Sequence, residues 1–109
     1  MINSRLAFHK ILVELLGNNN VYFQAPENKV LKYPCIIYKL SDVPEKHADN
    51  NKYIRHYEYT VTLIHKDPDN CVVDRILNIP NSKFEQSYAT QGLNHYVFKI
   101  NYKNEKEII

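Results

Sequence analysis

The chain has no tryptophan, two glycines and two cysteines in 109 residues, and each shortage removes a class of function. Gly17 and Gly92 stand far apart, so no glycine-rich loop can be built to cradle a phosphate. Cys35 and Cys71 make no CxxC pair and close at most one bridge, which excludes a disulfide framework and points to a reducing compartment. No apolar run nears the roughly 18 residues that span a membrane. The segment 2–16 is broken by Arg5, His9, Lys10 and Glu14 and lacks a small-residue cleavage site, so it is not a targeting peptide. A soluble intracellular protein is expected. An excess of one charge is missing too: 14 basic and 12 acidic residues leave a formal +2 without a dense block, too weak a field to argue for nucleic acid.

What the chain does have is tyrosine, nine of them, each offering large apolar area with one polar tip, suited to core rims and interfaces. The length fits one domain, 1–109, able to bury about two-thirds of its unfolded surface. Leu6, Phe8, Ile11, Leu12, Leu15 and Leu16 share a helical face, with Asn3 or Ser4 as cap and Gly17 as left-handed exit. With few basic residues and no tryptophan, that helix is expected to pack on its own sheet and not on a lipid surface. A short strand, Val21–Phe23, follows. Pro34 has no N–H and belongs at the start of a strand, and the unbroken apolar run Cys35-Ile36-Ile37-Tyr38 predicts one covered on both faces.

The polar stretch from Ser41 to Lys52 cannot bury itself and is expected to be a long loop and the working surface of the chain. From Tyr53 to Lys66 residues alternate, Tyr57, Tyr59, Val61 and Leu63 against His56, Glu58, Thr60 and Thr62, as in an antiparallel strand with one wet face. Asp67-Pro68-Asp69 writes a helix start with Asp67 as cap; Val72, Val73, Ile76 and Leu77 form its stripe, and Pro80 ends it. Two strands close the chain, Phe84–Tyr88 and Leu93–Tyr102, around a turn carrying Gly92. The tail from Lys103, ending in Ile108 and Ile109, is either frayed or held by a neighbouring subunit. These elements predict an α/β (α+β) domain: a mostly antiparallel mixed sheet with two helices packed on one face, in the order α-β-β-β-α-β-β.

Chemistry is hard to assemble from these parts. The five histidines show no HxH, HExxH or Cys-His spacing, so neither a metal nor another cofactor is expected. Cys35 lies in an apolar run, where burial dulls a thiol; Cys71 opens a helix, where a thiolate is favoured, but no oriented base accompanies it. An enzyme is not expected. The mixture Tyr53-Ile54-Arg55-His56-Tyr57 superficially resembles an RNA-binding strand, yet Tyr57 and Tyr59 share parity with Val61 and Leu63 and are expected in the core.

The order of elements, with Asn20-Val21-Tyr22-Phe23, Pro26, Tyr33-Pro34-Cys35-Ile36-Ile37-Tyr38 and the Asp67-Pro68-Asp69 helix start, resembles the small neck proteins of tailed bacteriophages over nearly the whole chain. More narrowly it resembles the tail terminator or head-tail joining group of siphophages. The resemblance implies a non-enzymatic virion assembly protein, made in the host cytoplasm and resident in the tail or neck. It would form a homo-hexameric ring that caps the tail tube, ends tube polymerisation and joins the tail to the head-side connector or stopper. It implies no membrane partner and no sequence-specific nucleic acid, passage of DNA through the ring being compatible with it. Asp42, Glu45, Lys46, His47, Asp49 and Lys52 of the polar stretch, with Ile108 and Ile109, are the interface candidates. The alternatives are another neck component, a stopper or head completion protein, or a small nucleic-acid-binding module.

Overall fold

The computed structural model describes the backbone of residues 2–24, 31–42, 45–48 and 52–108, and side chains within 5–24, 31–41 and 57–102. Helix α1 (Ile2–Leu16) leads into β1 (Val21–Phe23), β2 (Cys35–Asp42), β3 (Glu45–Ala48) and β4 (Lys52–His65). Helix α2 (Val72–Leu77), β5 (Ser82–Thr90) and β6 (Leu93–Ile108) complete the chain. The strands form one mixed sheet in the order β1-β2-β4-β6-β5, with β3 added beside β4. β1 and β2 run parallel; the other pairs are antiparallel. The α+β class and element order read from the sequence are found, with one strand more.

The sheet's alternation builds the core. Ile36 and Tyr38 of β2, Tyr57, Tyr59, Val61 and Leu63 of β4, and Phe98 and Ile100 of β6 are all buried in one cluster. Register makes them neighbours: Tyr38, Val61 and Phe98 lie in one cross-strand row, Ile36, Leu63 and Tyr96 in the next. Phe8, Leu12 and Leu16, four apart on α1, cap these rows. Phe8 stacks on Tyr59 (4.7 Å, 14°) and meets Tyr38 edge-on at 5.7 Å. His9 Nδ1 and the Tyr38 hydroxyl are hydrogen-bonded at 2.8 Å, and the Arg5 guanidinium sits 4.6 Å over the Phe23 ring. Burial, with the nearby Arg5 charge, lowers the His9 pKa and keeps its ring in the neutral state that can accept this bond.

Local chemistry sets the element ends. Gly17 takes φ +84 and returns its N–H to Val13 O at 2.9 Å, the expected left-handed exit of α1. Asn3 and Ser4 lie inside the first turn, because α1 already begins at Ile2. Leu6, expected on the packed face, is 53% exposed, as is Leu77 at 42%: the true stripes are narrower than the apolar pattern. At α2 the cap is not Asp67. Asn70 Oδ1 accepts the N–H groups of Val72 and Val73 at 3.1 and 3.2 Å, while Asp67 Oδ1 takes only the Asp69 N–H and shapes the turn before the helix. Between β5 and β6, Gln91 (φ 53) and Gly92 (φ 74) make a two-residue turn with both residues left-handed, the type I′ geometry that matches strand twist.

Three other expectations change. The stretch from Ser41 to Lys52 is not one loop: β2 runs to Asp42, and Glu45–Ala48 is a strand paired with the start of β4. The tail is not frayed. β6 continues to Ile108, which registers with Ile54 of β4; Ile109 lies outside the described residues. Finally, β2 is covered by helices on one face only. On the other, Cys35 is buried but Ile37 is half-buried and Lys39 exposed.

Candidate assembly surface

Two long strands lay out the candidate surfaces of the molecule. The sixteen residues of β6, at about 3.3 Å each, span about 53 Å, which accounts for the 52 Å long axis against 25 and 21 Å across. β2 accompanies β4 only as far as Glu58, and β5 accompanies β6 only as far as Ile100. Beyond those points β4 and β6 run on as a ribbon, flanked by β3. The sequence-predicted interface residues fall largely there. Glu45, Lys46 and His47 are the first three residues of β3, facing Arg55, Ile54 and Tyr53; Lys52 begins β4, and Asp42 ends β2 opposite Glu58. Lys46, Ile54 and Ile108 form one row across three strands, so the polar stretch and the apolar tail, far apart in sequence, meet. Asp49 and Ile109 lie outside the described residues.

The edge of the sheet is the second surface, and the sequence did not announce it. Eight of the nine β5 residues are exposed, including Phe84 at 42% and Tyr88 at 49%. The two-residue turn makes Thr90 and Leu93 a hydrogen-bonded pair; by antiparallel alternation Tyr88 and Gln86 also bond inward to β6. The N–H and C=O of Ser87 and Ala89 therefore point away from the sheet. The first half of the strand is blunted by an irregularity between Phe84 and Gln86 and by the charge of Lys83, but the stretch from Gln86 to Thr90 is a regular open edge. The available signal was that SKFEQSYAT carries only Phe84 and Tyr88 as large apolar groups, too few for a strand buried on either face.

The third surface is the sheet face opposite the helices. Cross-strand registers sort its side chains into rows. Cys35, Ile64, His95 and Tyr88 form one; Ile37, Thr62, Val97 and Gln86 the next; Lys39, Thr60, Lys99 and Lys83 the third. Tyr88 lies flat on His95, with centroids 4.7 Å apart and rings 9° from parallel. Lys99 Nζ pairs with Glu58 Oε1 at 3.6 Å, and the Ser41 hydroxyl also donates to that carboxylate at 3.1 Å.

Reactive chemistry finds little to work with among the described residues. Burial pushes the Cys35 thiol up to about 11, so it is protonated and dull at neutral pH. Cys71 is exposed at the start of a helix of six residues. No three His, Cys, Asp or Glu side chains among the described residues stand close enough to share a metal. His65 Nδ1 is occupied in accepting the Asp67 N–H at 3.0 Å. An open groove of about 440 Å³ between α1, the end of α2 and β6 is lined by Ile11, Leu15, Ile79, Pro80 and Tyr102. Its one described ionic group, Arg75, is tied to the Leu15 carbonyl at 3.0 Å.

Comparison with known proteins yields no family. No family model matches the chain, and no curated protein matches it. Among solved structures, a chain of the virion of a native gene transfer agent particle aligns over 85% of this chain and 84% of its own, at 12% identity and a TM-score of 0.45. A score that low does not establish a common fold.

Proposed function

We propose that this chain is a structural virion assembly protein: one of six copies in a ring that caps a phage tail tube, ends its polymerisation and joins the tail to the head connector. The placement in the neck and the count of six come from the sequence resemblance. The structural observation that carries the reading is the open β5 edge. A ring contact is heterologous, joining two different surfaces of neighbouring copies. This sheet has such a pair: β5 at one margin, and β1, the end of β2, and β3 at the other. The ribbon, where β3, Lys52 and Ile108 converge, projects along the strand axis and so suits contact with the tail tube protein below or the head-side connector above, leaving the margins for copies of the chain itself. In this reading the chain catalyses nothing and carries no cofactor.

The test is Ser87→Pro. Its N–H points outward, so proline there spares the β5–β6 ladder and removes a donor that a neighbouring strand would use. Light scattering, on purified protein at rising concentration and after mixing with tail tubes, is expected to show wild-type assembly and a folded variant that stays monomeric. Equal assembly by the variant, or a wild type that remains monomeric under both conditions, overturns the proposal.

A further inference from the structure

The face of the sheet opposite the helices carries a lysine row that ring assembly through the edges does not use. Lys39, Lys99 and Lys83 lie in one row across β2, β6 and β5, with Thr60 of β4 between the first two. Lys99 and Lys83 are direct cross-strand partners, a like-charge pairing that costs stability. Glu58 offsets one of the three charges, through its 3.6 Å contact with Lys99. Lys39 and Lys83 are exposed and have no ion-pair partner among the described residues. From Lys39 to Lys83 the row spans three strand spacings, about 14 Å. Four residues back along β6, about 13 Å away, Tyr88 stacks on His95 and leaves its outer ring face to solvent.

From this geometry we propose that the face binds single-stranded nucleic acid without regard to sequence. The lysine row takes backbone phosphates, and the outer face of Tyr88 stacks a base about two nucleotides along the strand. The charge of the row calls for an anion, and the exposed ring distinguishes this anion from a simple one, because every base offers a π-face. An open sheet with an aromatic ring beside basic residues is the surface on which unpaired bases are laid. The helix-free face supplies the aromatic that the core-facing Tyr57 and Tyr59 do not. Duplex DNA, whose bases are already stacked, could use the lysines and not the tyrosine.

Fluorescence anisotropy of a labelled oligothymidylate on the purified full chain tests this. Wild type is expected to bind at low salt, with log K falling against log salt with a slope of about −2, as for three phosphate contacts on a single strand. Lys39→Glu with Lys83→Glu should weaken binding more than tenfold, and Tyr88→Ala by about tenfold. Lys10→Glu, the same charge change on the exposed side of α1, should change it less than about twofold. Circular dichroism and thermal midpoints confirm that each variant is folded; Lys83→Glu places an opposite charge beside Lys99 and should not lower stability. Absence of wild-type binding overturns the proposal, as does equal weakening by Lys10→Glu. So does equal affinity for duplex or polyglutamate with no effect of Tyr88→Ala, which would leave only a polyanion-attracting surface. Failure of this proposal and failure of the ring reading are distinguishable, because Ser87→Pro tests the edge by mass and these substitutions test the face by anisotropy.

Discussion

Replacing Phe8 by alanine probes the packing on which the whole fold depends. Phe8 is fully buried, and its ring meets three tyrosines: Tyr59 at 4.7 Å, Tyr102 at 5.3 Å and Tyr38 at 5.7 Å. Those tyrosines come from β4, β6 and β2, so one side chain ties α1 to three strands at once. Phe-to-Ala changes in cores cost about 3–5 kcal/mol. With aromatic contacts on three sides and little freedom for rings of this size to collapse into the space, the upper half of that range is expected. A domain this size holds roughly 5–15 kcal/mol in total, so the variant gives up about a third or more of it. At about 4–8 °C per kcal/mol, the thermal midpoint should fall by roughly 16–40 °C. Urea titration followed by far-ultraviolet circular dichroism measures the loss directly, and an unchanged slope would show that the transition keeps its size. With no tryptophan in the chain, near-ultraviolet dichroism reports the packing of tyrosine and phenylalanine. Leu6→Ala, at a 53% exposed position on the same helix, is the control and should cost under about 1 kcal/mol. If Phe8→Ala cost no more than Leu6→Ala, α1 would not be docked on the tyrosine cluster and the core assignment would fail.

Two further outcomes follow from named groups. In native protein a thiol reagent at about neutral pH should modify exposed Cys71 at once and buried Cys35 only after unfolding; two equally fast thiols would contradict the burial of Cys35. The His9 pKa is lowered by burial and by Arg5, so the folded state binds fewer protons than the unfolded state between the folded value and 6.5. Its contribution to stability is complete above about 6.5 and is lost as pH falls through the lower, folded value. The urea midpoint of wild type should therefore drop more between about pH 7.5 and 5 than that of His9→Gln, and identical slopes would refute the assignment.

What the sequence disclosed was what neighbouring residues decide among themselves. The alternation through Tyr57, Tyr59, Val61 and Leu63 is local, and so is the four-residue repeat of Phe8, Leu12 and Leu16; both were legible and both are buried as read. Glu45–Ala48 was not legible, because EKHA has no apolar alternation and becomes a strand only by pairing with Lys52–Arg55. The α2 cap was misplaced for a related reason: Asp67 and Asn70 are both good caps, and the turn between them, closed by bonds to Asp67, hands the role to Asn70. Around the proposed interface residues the pattern misjudged the conformation: a loop was expected, and Glu45–Ala48 is a strand. The row of Lys39, Lys83 and Lys99 is invisible in one dimension, since only strand register brings three distant lysines into line.

The threading of the sheet also governs how it is made. β6 is the last strand in chain order yet sits between β4 and β5, holding Phe98 and Ile100 in the centre of the core. A nascent chain that has emerged through β4 shows Tyr57, Tyr59, Val61 and Leu63 with one flank unpaired, and it must wait for the closing hairpin before that flank is satisfied. High contact order of this kind slows folding and lengthens exposure to chaperones and to wrong partners. Premature stops or frameshifts near the carboxyl end therefore act as folding lesions and not as trimmed surfaces: they remove the wedge that completes the barrier between interior and water.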